Sequence, residues 1–487
     1  MSLPELGFSG YWPQGRRAHN TDWGMGSIPK QNNASTTGSG FVRAMGPLGA
    51  LFITLSGLSP SIGVFVVGAD VLHQAGSATF LCFVAAGLLG AAVANVYAEL
   101  ASAFPETGGE YTIVGRILGP SWGLVMLGLN LLTFSIGPAT TALGVASYLQ
   151  AVLPNLPTIP AAMALTALGM GVSILNVRLN AWVTGLFLAV ELISLALVAW
   201  LGFAHPHREL GEALRPVLLG PGGILTPASP AAFGLGAAAA IYAFDGYGSV
   251  VYLGEEMHEA PRRIAKVVFW ALGLAALFML TPILAALVGA PSLPALFSAQ
   301  QPIQALAAEL GGPVAAKVLS LAVALALFNA MIASALMGGR HLYSSGRDRV
   351  WPQRASAALS RLHPRFNSPW IATLAIGVTS LLWCLVRLDL LLILIGDGTA
   401  AIYLCMCLAA LKGRGGQAAH APYHMPLFPW LPLLALAGLV AVGVADLLDA
   451  EGREGLMVSA AVAIAAVGYA KLVLSKSGRW AHRGPGA

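Results

Sequence analysis

Charge is scarce in this sequence. Lys, Arg, Asp and Glu together make up 10% of its 487 residues, where soluble domains carry about a quarter. That excludes an ordinary water-facing surface and suits a chain whose outside meets lipid. Cysteine is scarcer still, with four residues. Cys82, Cys384, Cys405 and Cys407 each fall inside an apolar run, with no spacing for a disulfide framework or a zinc site, which leaves them as core residues. There is no histidine-rich cluster, nucleophile motif or phosphate loop to support a membrane enzyme; no metal and no cofactor is expected. A repeated pore loop, the mark of a channel filter, is missing, and neither tail is long enough for a sensor's soluble domain. The first 47 residues hold no apolar core of signal-peptide length. They are polar, rich in Gly, Asn and Ser, and carry Arg16, Arg17 and Lys30, as a mobile cytosolic tail would. The net charge of +5 follows from topology and is no signal for nucleic acid.

What the sequence does have is long apolar runs. A bilayer crossing needs about 20 mostly apolar residues. About twelve such spans can be drawn, at 48–72, 77–103, 121–152, 159–176, 180–204, 231–254, 265–289, 313–338, 368–386, 388–411, 428–446 and 455–474. With the N-terminus inside, about 21 of the 26 basic residues fall on one side, among them Arg116, Arg178, Arg262, Arg263, Arg340 and Arg347. Arg208, Arg215, Arg387 and Arg453 fall on the other, and Lys317 sits near that boundary. An even count puts both tails in the cytosol: a tail at 1–47 and another at 475–487.

Two of the runs are broken near their middle. Span 1 is interrupted at Ser56-Gly57-Leu58-Ser59-Pro60-Ser61-Ile62-Gly63 and span 6 at Phe244-Asp245-Gly246-Tyr247-Gly248. Broken backbone survives in a bilayer only where protein or a cavity receives its freed N–H and C=O groups. Breaks at matching places in two halves point to a transporter's substrate site. They divide the chain into a first repeat at 48–204 and a second at 231–411, inverted by parity, with two added spans at 428–474.

Several stretches, in this order along the chain, resemble the amino acid–polyamine–organocation superfamily of transporters. They are Tyr97-Ala98-Glu99-Leu100 through Phe104-Pro105-Glu106-Thr107-Gly108-Gly109-Glu110-Tyr111 to Leu118-Gly119-Pro120; Leu175-Asn176-Val177-Arg178; Phe244 through Glu255-Glu256 to Pro261-Arg262-Arg263; and Arg340-His341-Leu342-Tyr343 with Gly346-Arg347-Asp348 and Trp351-Pro352. The resemblance implies an all-α membrane protein with the LeuT-like 5+5 inverted repeat, broken helices 1 and 6 and two extra helices. It also implies uptake or exchange of amino acids or related amines, without enzymatic activity.

The breaks define the candidate site. In span 1 the amides of Ser61, Ile62 and Gly63 are expected to lack helical partners, at the positive N-terminus of the second half-helix, a place suited to a carboxylate. Carbonyls before the break, near Ser56 and Gly57, suit an ammonium, and Ser59 is a further substrate-binding candidate. The chain departs from the family's Gly-x-Gly here: Pro60 removes a donor and Ser61 crowds the loop. In span 6, Phe244 resembles the family's aromatic beside the substrate, with Gly246 and Tyr247 following. Asp245 is unusual, because a carboxylate near the bilayer centre costs about 2.5–3.5 kcal/mol. Three roles are open to it: counter-ion to a substrate ammonium, acceptor of a coupling proton, or cap of the second half-helix. In span 5, Glu191 stands where some members carry a lysine beside the span 1 break, so it is the candidate for proton coupling, the other reading being a neutral glutamate bonded to a neighbouring helix. Asn130, Tyr242, Asn329 and Asp397 are secondary candidates; the two asparagines read equally as interhelical ties. Glu255 and Glu256, near Arg262 and Arg263, read as inner-gate or loop charges, and Glu99, Glu106 and Glu110 as part of the inner surface.

The expected protein is a secondary transporter of an amino acid or related amine, driven by protons or exchange, in a bilayer. The alternatives are an amine, polyamine or choline-type transporter that needs no substrate carboxylate, and a channel or sensor of the same fold. High Ala, Gly and Leu content suggests a bacterial inner membrane.

Overall fold

The computed structural model describes residues 41–448 and 450–475; both expected tails, up to residue 40 and from residue 476, lie outside the described residues. The first half of the chain holds helices α1 (Pro47–Leu58), α2 (Gly68–Ala75), α3 (Thr79–Ala103), α4 (Glu110–Ile117), α5 (Pro120–Leu149), α6 (Thr158–Ser173), α7 (Val177–Ala204) and α8 (Leu210–Ala213). A small antiparallel hairpin follows, β1 (Val217–Leu219) and β2 (Leu225–Pro227), with Val217 opposite Pro227. Then come α9 (Pro230–Ala243), α10 (Ala260–Gly289), α11 (Leu293–Ser298), α12 (Pro302–Arg347), α13 (Gln353–Leu359), α14 (Trp370–Trp383), α15 (Leu388–Gly413), α16 (Trp430–Leu448) and α17 (Ala450–Tyr469).

Among the described residues, eight helical stretches are long and apolar enough to cross a membrane. The first of them, 47–103, contains two of the expected spans, and α6 and α14 are shorter apolar helices of 16 and 14 residues. Both stop short of the expected limits. After α6 the chain turns because Asn176 caps the next helix, its Oδ1 accepting the Leu179 N–H at 2.8 Å. Proline opens several helices at the first turn, where its missing N–H costs nothing: Pro47, Pro120, Pro230 and Pro302. The outward faces are apolar. On α7, Trp182, Leu186, Ile193 and Trp200 recur at spacings of one helix face and are each at least 63% exposed, while Glu191 on the same helix is buried. A stripe of that kind facing water would be an aggregation site; facing lipid it is the expected surface.

The packing interleaves the two halves: α5 lies against α12, α3 against α10, and α7 against both α10 and α12. The last residues of the expected N-terminal tail are drawn into this body. Ala44 and Met45 donate their N–H groups to the Glu256 carbonyl, both at 3.1 Å, and His258 N–H returns to the Met45 carbonyl at 3.0 Å.

Both breaks fall where the sequence places them. Helix α1 ends at Ser59, whose φ of 48° is left-handed although it is not glycine. The chain then re-enters helix through Pro60 and a wide turn at Ile62–Val67. Helix α9 ends at Ala243, and a 3-10 segment at Tyr247–Leu253 continues beyond Gly246. Gly246 has φ 112° and passes against the first break: a Cβ there would lie 2.7 Å from Leu58 Cα. Because the obstacle is backbone, it cannot rotate away. Gly246→Ala is expected to cost about 1–3 kcal/mol of stability through strain and overpacking, read as a lower melting temperature of the purified protein. An unchanged melting temperature would mean that the two breaks do not meet here.

Candidate functional site

The first break is held by side chains from two other helices. Glu191 of α7, fully buried, brings Oε1 to Ser59 Oγ and to the Ser61 N–H, both at 2.8 Å. The Ile62 and Gly63 amides bond back to the Ser59 carbonyl at 2.9 and 3.3 Å. The expectation that these three amides lack partners is therefore corrected: one is taken by Glu191 and two by a tight turn that Ser59's left-handed conformation makes possible. Asn329 of α12 donates Nδ2 to Ser56 Oγ at 2.8 Å and to the Thr184 carbonyl at 3.2 Å, and Ser56 Oγ reaches the same carbonyl at 3.3 Å. Ser56, Ser59, Ser61, Glu191 and Asn329 thus form one buried polar cluster among α1, α7 and α12. Glu191 Oε2 and Asn329 Oδ1 have no hydrogen-bond partner within it, so it has capacity left for a proton or a polar guest.

At the second break Asp245 turns towards α15. Its Oδ1 accepts from Tyr403 Oη at 2.7 Å and its Oδ2 from Thr399 Oγ1 at 3.2 Å. Asp245 directly precedes Gly246, where the 3-10 segment begins, so the capping reading is compatible with this tie to α15. Phe244 is buried and packs on Phe83 of α3, ring centroids 6.1 Å apart, beside Gly87 and Gly90. It braces the broken helix from behind. Tyr242 lines both cavities described next. Tyr247 stacks on Tyr403 at 6.1 Å, and both rings contact Tyr97.

The two ends of the bundle differ. At the end where α1, α5 and α10 begin, acidic residues are tied to basic ones. Arg347 grips Glu255 through two bonds of 2.8 Å, Arg340 pairs with Glu256, Arg414 with Glu99 at 3.0 Å and Arg116 with Glu106 at 2.6 Å. The expected neighbours of Glu255 and Glu256 are corrected: their partners come from α12, and Arg263 pairs instead with Glu259 at 2.5 Å. The opposite end is open. A cavity of about 560 Å³ runs beside Tyr242, Asp397 and Thr399, and another of about 280 Å³ beside Ile62, Phe65 and Tyr148. Val66, Asp70, Tyr242 and Leu392 line both. These cavities are lined by residues beside both breaks, Ile62 at the first and Tyr242 at the second, while the other end carries the ion pairs.

The remaining candidates lie apart from the breaks. Asn130 donates Nδ2 to the Met126 carbonyl at 3.0 Å and accepts from Tyr252 Oη at 3.0 Å. Asp397 shares a hydrogen bond with Asp446 of α16. The partners of Asp245 and the deeply buried Glu110 are what reasoning from sequence missed. Tyr403 and Thr399 were detectable only as polar residues one helical turn apart in span 10, and Glu110 was hidden in a polar loop motif.

A profile of the family described as Amino acid permease matches residues 45–466. The chain belongs to that family, a branch of the amino acid–polyamine–organocation superfamily of multi-pass membrane transporters. It is 25% identical to the branched-chain amino acid permease BcaP of Bacillus subtilis over 418 residues, 80% of this chain and 85% of that one. To the serine/threonine exchanger SteT of the same organism it is 24% identical, across 83% and 91%. To cationic amino acid transporter 4 of Mus musculus it is 26% identical, across 73% and 58%.

Proposed function

We propose that this protein carries an amino acid or closely related amine through twelve membrane crossings, arranged as a LeuT-like pair of inverted five-helix repeats, by alternating access coupled to protons. Both termini lie on the basic side, which is cytoplasmic. The observation that carries the reading is the contact between the two breaks, Gly246 on Leu58, with a buried carboxyl held at each: Glu191 at the first and Asp245 at the second. Closure by ion pairs at one end and cavities at the other supports one state of an alternating cycle. Relatives named for branched-chain, hydroxylated and cationic amino acids leave the side-chain class open.

Glu191 is assigned the coupling role. Ionised, it is a strong acceptor for Ser59 and the Ser61 amide and pins the loop; protonated, it holds them weakly and frees the loop to rearrange. Glu191→Gln keeps an acceptor oxygen and size but cannot exchange a proton. In proteoliposomes the variant is expected to retain substrate counterflow and lose accumulation driven by a pH gradient. Accumulation at the wild-type level would remove Glu191 from coupling.

One observation favours the amine reading: every amide from Ser61 to Gly63 already has a partner, so a substrate carboxylate finds no free donor there in this conformation. A thermal-shift screen of amino acids against their decarboxylated amines separates the two. Stabilisation by amines alone selects the second reading; stabilisation by amino acids alone means that the loop opens to receive the carboxylate.

A further inference from the structure

Glu110 opens α4, a short helix between the spans at 77–103 and 121–152, and is buried. Its Oε1 accepts from Tyr97 Oη at 3.1 Å, and its Oε2 lies against Tyr252 Oη. Tyr252 Oη also lies 3.0 Å from Asn130 Oδ1. The orientation of Asn130 is fixed, because its Nδ2 must face the Met126 carbonyl, 3.0 Å away; turning the amide over would set two carbonyl oxygens together. Tyr252 thus stands between two acceptors with one proton to give. If it gives the proton to an ionised Glu110, its contact with Asn130 is oxygen against oxygen with no hydrogen between. One arrangement satisfies every atom: Glu110 protonated and donating to Tyr252, Tyr252 donating to Asn130, Asn130 donating to Met126. Among the charged and titratable groups of the described residues, Tyr97 of α3 and Tyr252 touch Glu110, Asp245 acts on it from further off, and no basic group contributes to its surroundings. The His341 ring of α12 packs on Tyr252 at 5.5 Å. Burial pushes the Glu110 carboxyl up to about 7, outweighing the two tyrosine bonds and the bond from its own backbone N–H, which favour the charged form.

A layer of phenols joins this group to the second break. Tyr97, which donates to Glu110, meets the Tyr403 ring at 5.7 Å, and Tyr403 donates to Asp245 at 2.7 Å. Gly248 leaves room for this: a Cβ there would lie 2.4 Å from the Tyr97 ring. Asp245 receives two hydroxyl donors, whereas Glu110 has beside it a hydroxyl that also faces Asn130 and needs a proton.

We infer that Glu110 is a second proton-carrying site of this transporter, distinct from Glu191, loaded in the conformation seen here and emptied towards the basic end when the Tyr97–Tyr403–Asp245 layer shifts. The proton leaves Glu110 for water and the carboxylate left behind regains one on return, so no other reactant is needed. The transport arm of the test rests on the proton-coupled reading; the spectroscopic arm does not. Infrared spectra of the purified full-length protein near neutral pH are expected to contain a protonated-carboxyl stretch that Glu110→Gln removes. That substitution preserves the neutral donor to Tyr252, so the variant folds with the melting temperature of the wild type. In proteoliposomes, substrate-driven proton movement is expected in the wild type and lost in Glu110→Gln, with counterflow retained. A spectrum unchanged by the substitution, or proton movement at the wild-type level in the variant, overturns the inference. A wild type that moves no protons while the band is still lost overturns the coupling of both sites and leaves Glu110 a protonated tie. Tyr252→Phe is the second variant: it takes away the neighbour that requires the proton, and the band is expected to weaken near neutral pH.

Discussion

Asp245→Asn is expected to weaken substrate binding by about tenfold to a hundredfold, the equivalent of one charge-assisted hydrogen bond of about 1.5–3 kcal/mol. The argument begins with cost. A carboxylate in the middle of a membrane span is retained only where something repays its desolvation, and among the described residues no cation pairs with Asp245. Its two donors, Tyr403 Oη and Thr399 Oγ1, are neutral and stabilise the charge in part. An arriving ammonium completes the site. Asparagine keeps an oxygen for Tyr403 and nearly the same volume, so the fold is spared while the charge is lost. Binding measured by thermal shift or by displacement of labelled substrate decides. Unchanged affinity, with a fall in stability for Tyr403→Phe, would make Asp245 a tie between the second break and α15 and no counter-ion.

Why Asp245 could be found in the sequence and its partners could not is a matter of range. The breaks were legible because Pro60, Gly63, Asp245 and Gly246 interrupt apolar runs that otherwise satisfy their own backbone. The basic asymmetry was legible because each Arg or Lys reports its side of the bilayer one at a time. Pairings between helices carry no such local signal. Thr399 and Tyr403 lie more than 150 residues from Asp245 along the chain, and Glu255 and Glu256 reach past the nearby Arg262 and Arg263 to α12. Glu110 shows the opposite failure. Set between Gly109 and Tyr111 in a polar loop it reads as surface, and only the tight folding of α4 against α5 buries it. The amides of the first break were misjudged for the same reason: their vacancy is a property of an ideal unwound helix, and Ser59's left-handed turn fills two of them.

Arg340→Ala is expected to cost the fold most, about 3–5 kcal/mol, the penalty of stranding a buried charge. Arg340 and Glu256 are 1% and 2% exposed, and the guanidinium also donates to the Leu336 carbonyl at 3.1 Å and lies over the Phe41 ring. One side chain thus ties together α12, the segment after the second break and the segment that precedes α1, because Glu256 receives Ala44 and Met45 on its own carbonyl. Burial pushes the Glu256 carboxyl above its ordinary range and Arg340 pulls it back. Without Arg340 the upward push is unopposed, so the folded state holds a proton that the unfolded chain releases above about 4.5. Stability of the variant must then be greatest in acid and decline as pH rises through the folded-state value, which a melting series from acid to alkaline pH would read. Replacing both partners by methionine removes the charge and its need for a counter-ion together, and most of the lost stability is expected to return. If it does, the ion pair contributes little to stability that apolar packing cannot, and its role is to lock the basic end. The double variant should then expose that end to thiol reagents at an introduced cysteine, where the wild type is shut. Full protection in a well-folded double variant would mean that Arg347 and Glu255 close the basic end by themselves.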